Sequence, residues 1–355
     1  MLIFLCVAFC AGTARAAFIN GQDYVPLADW AGANGLKISW PARNQIVLTN
    51  KNSRLVFGVD SAQAEINGVN VRLSFPAAKD KGGALIAQFD LNTAVRPLLW
   101  PSRYVEPKKI TTICLDPGHG GKDTGNRVGW HYEKNYTLPL AFELRDQLKK
   151  LGFNVMLTRS TDTYVDLPAR PEIANKAGAD LFISLHFNAA QTDKDTVHGP
   201  ETYCITPVGA ASSNSQGEGA DHAATVANRL EDKSLLLAYH IQKSLAQNLH
   251  AEDRDVRRAR FAVLRDATMP AILIEGGYMT NPTEGKKIYD ANYRKQMAAA
   301  IVKGILNYQK LTAPAVVPNH PAVKIQPAIL SGTNKISNAK NAKKISRMRM
   351  RTIRN

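Results

Sequence analysis

Apolar and polar positions follow two different rhythms along the chain, and the change of rhythm divides it. Over residues 17–103 the apolar runs are short and the period is two, as in LKISW at 36–40, QIVLT at 45–49 and RLVFGV at 54–59. That is the spacing of half-buried strands. Asn67 and Gly68 stand between AEI at 64–66 and VNVRL at 69–73, a tight hairpin signal because both residues tolerate positive φ. A helical pattern at 27–35 is the one interruption. From residue 110 the rhythm alternates. Strand-like runs at 110–115, 153–158, 179–185, 199–206 and 271–274 are separated by helical periodicity at 133–150, 171–177, 234–249 and 293–311. In 133–150 the apolar stripe runs through Leu138, Ala141, Leu144 and Leu148 toward Leu151, and Gly152 ends it. Strands alternating with helices predict an α/β domain: an open, mostly parallel sheet with helices on both faces, preceded by a small β-rich domain.

Composition adds compartment and surface. The first 16 residues carry an apolar run followed by Thr13-Ala14-Arg15-Ala16, the small-residue pattern of an export signal cut after Ala16. The run is too short to span a bilayer as a helix, so an exported protein, periplasmic or wall-associated, is expected. Cys6 and Cys10 fall in that segment, which leaves Cys114 and Cys204. Two cysteines in strand-like runs are compatible with one disulfide or with two buried thiols. The formal net charge is +15, and no acidic residue follows Asp290. The division expected is 1–16 signal, 17–103 β-rich domain, 104–312 α/β domain and 313–355 basic disordered tail. Such a tail suits an anionic wall polymer or a membrane surface. Specific nucleic-acid binding is not expected, because no aromatic is interleaved to stack on bases. Between 206 and 229 lies a segment rich in Gly, Ser and Ala without periodicity, read as a mobile loop on the site-bearing side or an inert insertion.

The chemistry centres on LDPGHGGKDTGN at 115–126. A strand ends there, and His119 sits among Gly118, Gly120, Gly121 and Gly125. Glycines let the backbone turn sharply and lie close to a ligand, and an imidazole so placed suits metal binding or proton transfer. Glu133 opens the first long helix of the α/β domain, His186 ends one buried strand and Glu275 ends another. Ligands in open α/β sheets bind beyond the carboxyl ends of the strands, so these residues can converge. Two imidazoles and one carboxylate match a catalytic zinc set, and Glu275 would be the further carboxylate that takes a proton from water. Each has a plainer alternative. Glu133 can favour a helix N-terminus through the dipole, and His186 can be a hydrogen-bonded core histidine. Glu275 follows four apolar residues, where a carboxylate is costly unless paired or metal-bound.

These segments, with YEKNYTLPLAFELRDQLKKLGFNVMLTR at 132–159, ANKAGADLFISLHFNA at 174–189, ETYC at 201–204, DRDVRRARFAVLR at 253–265 and MPAILIEGGYMTN at 269–281, resemble in order the zinc-dependent N-acetylmuramoyl-L-alanine amidases of the DPGHGG type. The resemblance implies an exported enzyme acting on peptidoglycan, with Zn2+ on His119, Glu133 and His186 and with Glu275 as the catalytic glutamate. It also implies hydrolysis of the amide between N-acetylmuramic acid and L-alanine, in wall remodelling or daughter-cell separation. Arg170 and Asn188 lie in these segments, with substrate-orienting or structural roles both open. Where that family often has Arg-Gly-Val, this chain has Arg254-Asp255-Val256. The 206–229 segment has no apolar helical pattern of the kind that plugs the site in some relatives. NG…YVPL at 20–27 and INGV at 66–69 resemble a copper amine oxidase N-terminal-like domain, here a spacer or wall-contact module. A zinc peptidase acting within the stem peptide and a non-catalytic wall-binding protein on the same fold are the competing expectations.

Overall fold

Alternation along single strands decides the layering. In the computed structural model, which describes residues 17–104, 108–214, 219 and 223–312, the expected export signal and basic tail lie outside the described residues. The amino-terminal part runs Ala17–Ile19 (β1), Gln22–Pro26 (β2), Leu27–Ala33 (α1), Lys37–Ala42 (β3), Gln45–Thr49 (β4), Arg54–Gly58 (β5), Ser61–Ile66 (β6), Val69–Asp80 (β7) and Gly83–Ala87 (β8). A helical stretch follows, from Gln88–Asp90 (α2) through a π-helical turn to Arg96–Leu99 (α3). The β6–β7 hairpin turns at Asn67 and Gly68, with φ of 49° and 78° and Ile66 opposite Val69, as the sequence predicts.

The second part contains Thr112–Pro117 (β9), Arg127–Val128 (β10), His131–Tyr132 (β11), Lys134–Lys150 (α4), Asn154–Leu157 (β12), Ala169–Lys176 (α5), Leu181–Asn188 (β13) and Glu201–Cys204 (β14). Glu231–Leu249 (α6), Val256–Arg258 (β15), Ala262–Arg265 (α7), Ala271–Tyr278 (β16), Pro282–Tyr289 (α8) and Ala291–Thr312 (α9) complete it. Strands β12, β9, β13 and β16 are mutually parallel, β14 is antiparallel to β16, and β15 is parallel to β14. Ile113, Leu115, Ile183 and Leu185 face α4, α6 and α9, whereas Cys114, Phe182 and Leu273 face α5 and α7 on the other side. The sheet is therefore the mostly parallel, doubly covered one expected. In α4, Ala141, Leu144 and Leu148 are buried as predicted, but Leu138 is only half-buried, Thr137 and Leu140 complete the stripe, and Leu151 lies beyond the helix end, 52% exposed. Cys114 and Cys204 are free and buried in different core clusters.

The two parts share one sheet. β15 pairs in parallel with β7 at Val256 and Val71, giving the order β12-β9-β13-β16-β14-β15-β7-β6-β5-β4-β3. Side chains reinforce the seam. Tyr239 of α6 donates to the Ile66 carbonyl at 2.9 Å, and the Asp253 carboxylate accepts from the Asn70 N–H at 2.8 Å. Asp255, at the residue preceding β15, has φ of 86°, a conformation that suits glycine and strains other residues. It is buried, and its Oδ1 lies 3.5 Å from the Gln63 side-chain nitrogen.

Candidate metal centre

Parallel register brings the carboxyl ends of β9, β13 and β16 to one edge. Pro117 stands opposite Leu185, and His186 stands opposite Glu275. Neither of these strands stops at its polar residue: β13 continues to Asn188 and β16 to Tyr278, with a register shift after His186. A bulge of this kind re-aims side chains at a sheet rim. Glu133 precedes α4 directly and reaches across to both imidazoles. Its Oε2 lies 3.0 Å from His119 Nε2, and its Oε1 lies 2.9 Å from His186 Nδ1. The same oxygens accept the backbone N–H of Asn126 at 2.9 Å and of Phe187 at 3.0 Å. The far nitrogen of His119, Nδ1, lies 2.9 Å from Asp123 Oδ2.

Glu133 is 1% exposed. Burial opposes its ionisation, but the two imidazoles more than offset this and hold its carboxyl well below the ordinary range. Burial likewise works against protonation of His119, and hydrogen bonds and charge from Glu133 and Asp123 outweigh it, raising that pKa. Two imidazole nitrogens and one carboxylate oxygen lie within 4.8 Å of one another, the one such cluster of three or more ligand-type side chains among the described residues. This donor set fits a divalent ion of the zinc type. The Asp123 contact fits too, since a metal-binding imidazole commonly gives its other nitrogen to a carboxylate.

The surrounding chain is built to leave room for these rings. A Cβ on Gly118 would stand 2.3 Å from His186 Cε1, and one on Gly125 would stand 2.5 Å from His119 Cδ2 and 2.6 Å from Glu133 Oε2. His119 itself is held at φ of 60°. Arg170 supplies the hold. It is fully buried, pairs with Asp116 at 2.8 Å, and donates to the carbonyls of Pro117 and His119 at 3.0 Å. Thr158 and Ser184 satisfy the rest of Asp116. Removing one partner of a buried pair costs roughly 3–5 kcal/mol, so Arg170 fixes the loop rather than meeting substrate. Of the two roles open for it, the structural one is what the contacts show.

Glu275 shares its sheet face with His186 of β13 and, on the other side, with Glu201 of β14. Its Oε2 is shielded from solvent and has no hydrogen-bond partner among the described residues. Burial, then the charges of Glu133 and Glu201, push its carboxyl well above the ordinary range. Glu201 is the residue sequence reasoning passes over. It accepts from Arg254 and Arg257 at 3.1 Å, from Tyr203 at 2.6 Å and from Tyr278 at 2.5 Å. Burial opposes its charge, yet Arg257 and these hydrogen bonds hold its carboxyl below the ordinary range. A cavity of about 530 Å³ beside Glu275 is lined by Asn188, Glu201, Tyr203 and Arg257, and by Ser213 and Asn214. Asn188 thus lies on the wall of the cavity. Of the 206–229 segment, Ser213 and Asn214 line this cavity, and toward its end Val226–Leu230 forms a 3-10 helix closed by a Thr225–Asn228 capping box; residues 215–218 and 220–222 lie outside the described residues.

Residues 113–307 match the family model described as N-acetylmuramoyl-L-alanine amidase, and residues 11–90 match that of the copper amine oxidase N-terminal domain. The chain is 34% identical over 220 residues to the N-acetylmuramoyl-L-alanine amidase AmiA of Escherichia coli, covering 55% of this chain and 75% of AmiA. It is 33% identical over 246 residues to LytC of Bacillus subtilis, a protein of the same name, covering 69% of this chain and 45% of LytC. The solved structure of the amidase AmiC2 of Nostoc punctiforme is 34% identical and superposes with a TM-score of 0.48, covering 56% of this chain and 97% of that one.

Proposed function

The chain belongs to the N-acetylmuramoyl-L-alanine amidase family, and from that premise we propose a zinc-dependent hydrolysis of the amide between N-acetylmuramic acid and L-alanine in peptidoglycan. The observation that carries it is the Glu133 carboxylate, with one oxygen on each imidazole, beside an unpaired Glu275 in register with His186. His119 Nε2, His186 Nδ1 and a Glu133 oxygen would hold the ion. Zinc bound there supplies Lewis acidity, which activates water and stabilises negative charge on the scissile carbonyl oxygen. Glu275 accepts the proton of the attacking water and returns it to the departing L-alanine nitrogen. Asp123 keeps His119 in the tautomer that leaves Nε2 free to bind. Arg170 keeps the His119 backbone where the ring must start.

Mass spectrometry of purified peptidoglycan digested by the mature protein tests this. Free stem peptides beginning at L-alanine are expected, lost on chelation and restored by zinc. Peptides shortened within the stem would instead mark a peptidase, and intact muropeptides from zinc-loaded protein would mark a non-catalytic wall-binding protein. Peptidoglycan lies outside the cytoplasmic membrane, and the work is expected there, in wall remodelling or daughter-cell separation. Among the described residues no helix is long and apolar enough to cross a membrane.

The acid-free stretch after Asp290 supports an adhesive role for the tail on an anionic surface. Deleting residues 335–355 is expected to weaken co-sedimentation with cell walls at low ionic strength, with the difference vanishing as salt screens it. A salt-independent difference, or none, would refute that role.

A further inference from the structure

Four buried side-chain polar atoms lack a hydrogen-bond partner among the described residues: Trp30 Nε1, Asn214 Oδ1, Arg257 Nε and Glu275 Oε2. Three of these four belong to residues that line the single cavity beside Glu275. An unpaired buried polar group costs roughly 1–3 kcal/mol, and native proteins carry few. These atoms are sealed just behind the surface of one cavity, so a polar ligand there would pair with them as the side chains turn toward it. The ligand must offer both kinds of group. Arg257 Nε can only donate, whereas Asn214 Oδ1 and an ionised Glu275 can only accept.

Charge narrows the class further. Arg254 and Arg257 share one carboxylate, Glu201, each at 3.1 Å. Arg257 spends Nη1 on Glu201 and Nη2 on the Ser213 carbonyl, 2.7 Å away, and keeps Nε idle. A planar guanidinium favours a carboxylate over a sugar hydroxyl. Reach agrees with this. Arg257 lies on β15, two strands from Glu275 with β14 between, a separation of roughly 10 Å. That is about the span of a short extended peptide with its side group.

We propose that this cavity seats the peptide that leaves with L-alanine, and that Arg257 binds a free carboxylate on the residue following L-alanine. The proposal rests on the amidase reaction above and adds its orientation: peptide toward β14 and β15, glycan away from them. Arg257 is then a specificity-determining residue, and Glu201 positions it.

The test uses two muramoyl peptides that differ only in carrying a carboxylate or a carboxamide on the residue after L-alanine. Steady-state kinetics are measured on the zinc-loaded full chain. Wild type is expected to favour the carboxylate roughly ten- to hundredfold in kcat/KM, the worth of a charge-assisted hydrogen bond, mostly through KM. In Arg257→Gln the ratio is expected to collapse toward one by loss on the carboxylate substrate, and Arg257→Lys keeps part of the preference. Equal cleavage of the two substrates by wild type would overturn the proposal whatever the variants do. So would an Arg257→Gln variant that slows both substrates alike, or one whose loss follows glycan length. Failure of wild type to release L-alanine peptides from either substrate would remove the amidase reading itself, a result separable from equal cleavage.

Discussion

Replacing Glu275 with glutamine is expected to leave the fold and the bound metal in place and to lower kcat by roughly 10²–10⁴-fold, the range for loss of a general acid–base group. Glutamine keeps the volume but cannot take a proton from water or pass one to the leaving nitrogen. Little else changes, because Oε2 has no hydrogen-bond partner among the described residues to lose. Metal-free stability supplies a second readout. Burial, Glu133 and Glu201 raise the Glu275 pKa, so ionising this carboxyl opposes folding once the pH exceeds its unfolded value. Metal-free Glu275→Gln should therefore melt at or above wild type near neutral pH, and the gain should fade as acid protonates Glu275 in both states. A zinc ion held by His119, Glu133 and His186 would work in the opposite direction and favour the ionised form that proton transfer needs. Turnover, zinc content and melting temperature of the variant check this together. Near wild-type kcat with one zinc per chain would take the proton-transfer role away from Glu275.

Most of the candidate site is legible in the sequence because His119, His186 and Glu275 each break a local rule, whereas Glu133 stands where any helix N-terminus favours a carboxylate. His119 stands in a run of glycines, and the space those glycines leave is filled by imidazoles at distances no side chain at 118 or 125 would permit. His186 and Glu275 interrupt apolar strand runs, and a parallel sheet places such interruptions at one edge. The sheet class follows from alternation of strand and helix, visible without any tertiary information. What escapes is whatever depends on contacts distant in sequence. β15 is three residues long and reads as RR after a valine, with neither alternation nor β-branched enrichment to mark it. It becomes a strand because β14 and β7 flank it. The continuity of the two parts, the Asp255 strain at their seam and the arginines gathered on Glu201 all follow from that one placement. Glu201 lies near the start of a strand-like run and looks like an ordinary edge residue until β16 sets it beside Glu275.

Replacing Glu133 with glutamine is expected to cost the metal, and activity with it. Substitutions in the outer shell of a metal site weaken binding roughly 10- to 100-fold, and Glu133 is proposed as a direct ligand, so the loss should exceed that range. The isosteric change isolates the charge. A buried carboxylate tolerates its environment here only because two imidazoles and two backbone N–H groups surround it. A carboxamide offers one accepting oxygen, so its NH2 must face either an imidazole nitrogen with the Phe187 N–H or one with the Asn126 N–H. One backbone donor is left opposed, at a cost of roughly 1–3 kcal/mol. The variant should then melt below wild type, and it should emerge from dialysis against trace zinc with little metal while wild type retains about one ion per chain. Elemental analysis beside thermal melts separates the two effects. A Glu133→Gln protein holding stoichiometric zinc with unchanged kcat/KM would show that this carboxylate only braces the histidines, and the ion would need another third ligand.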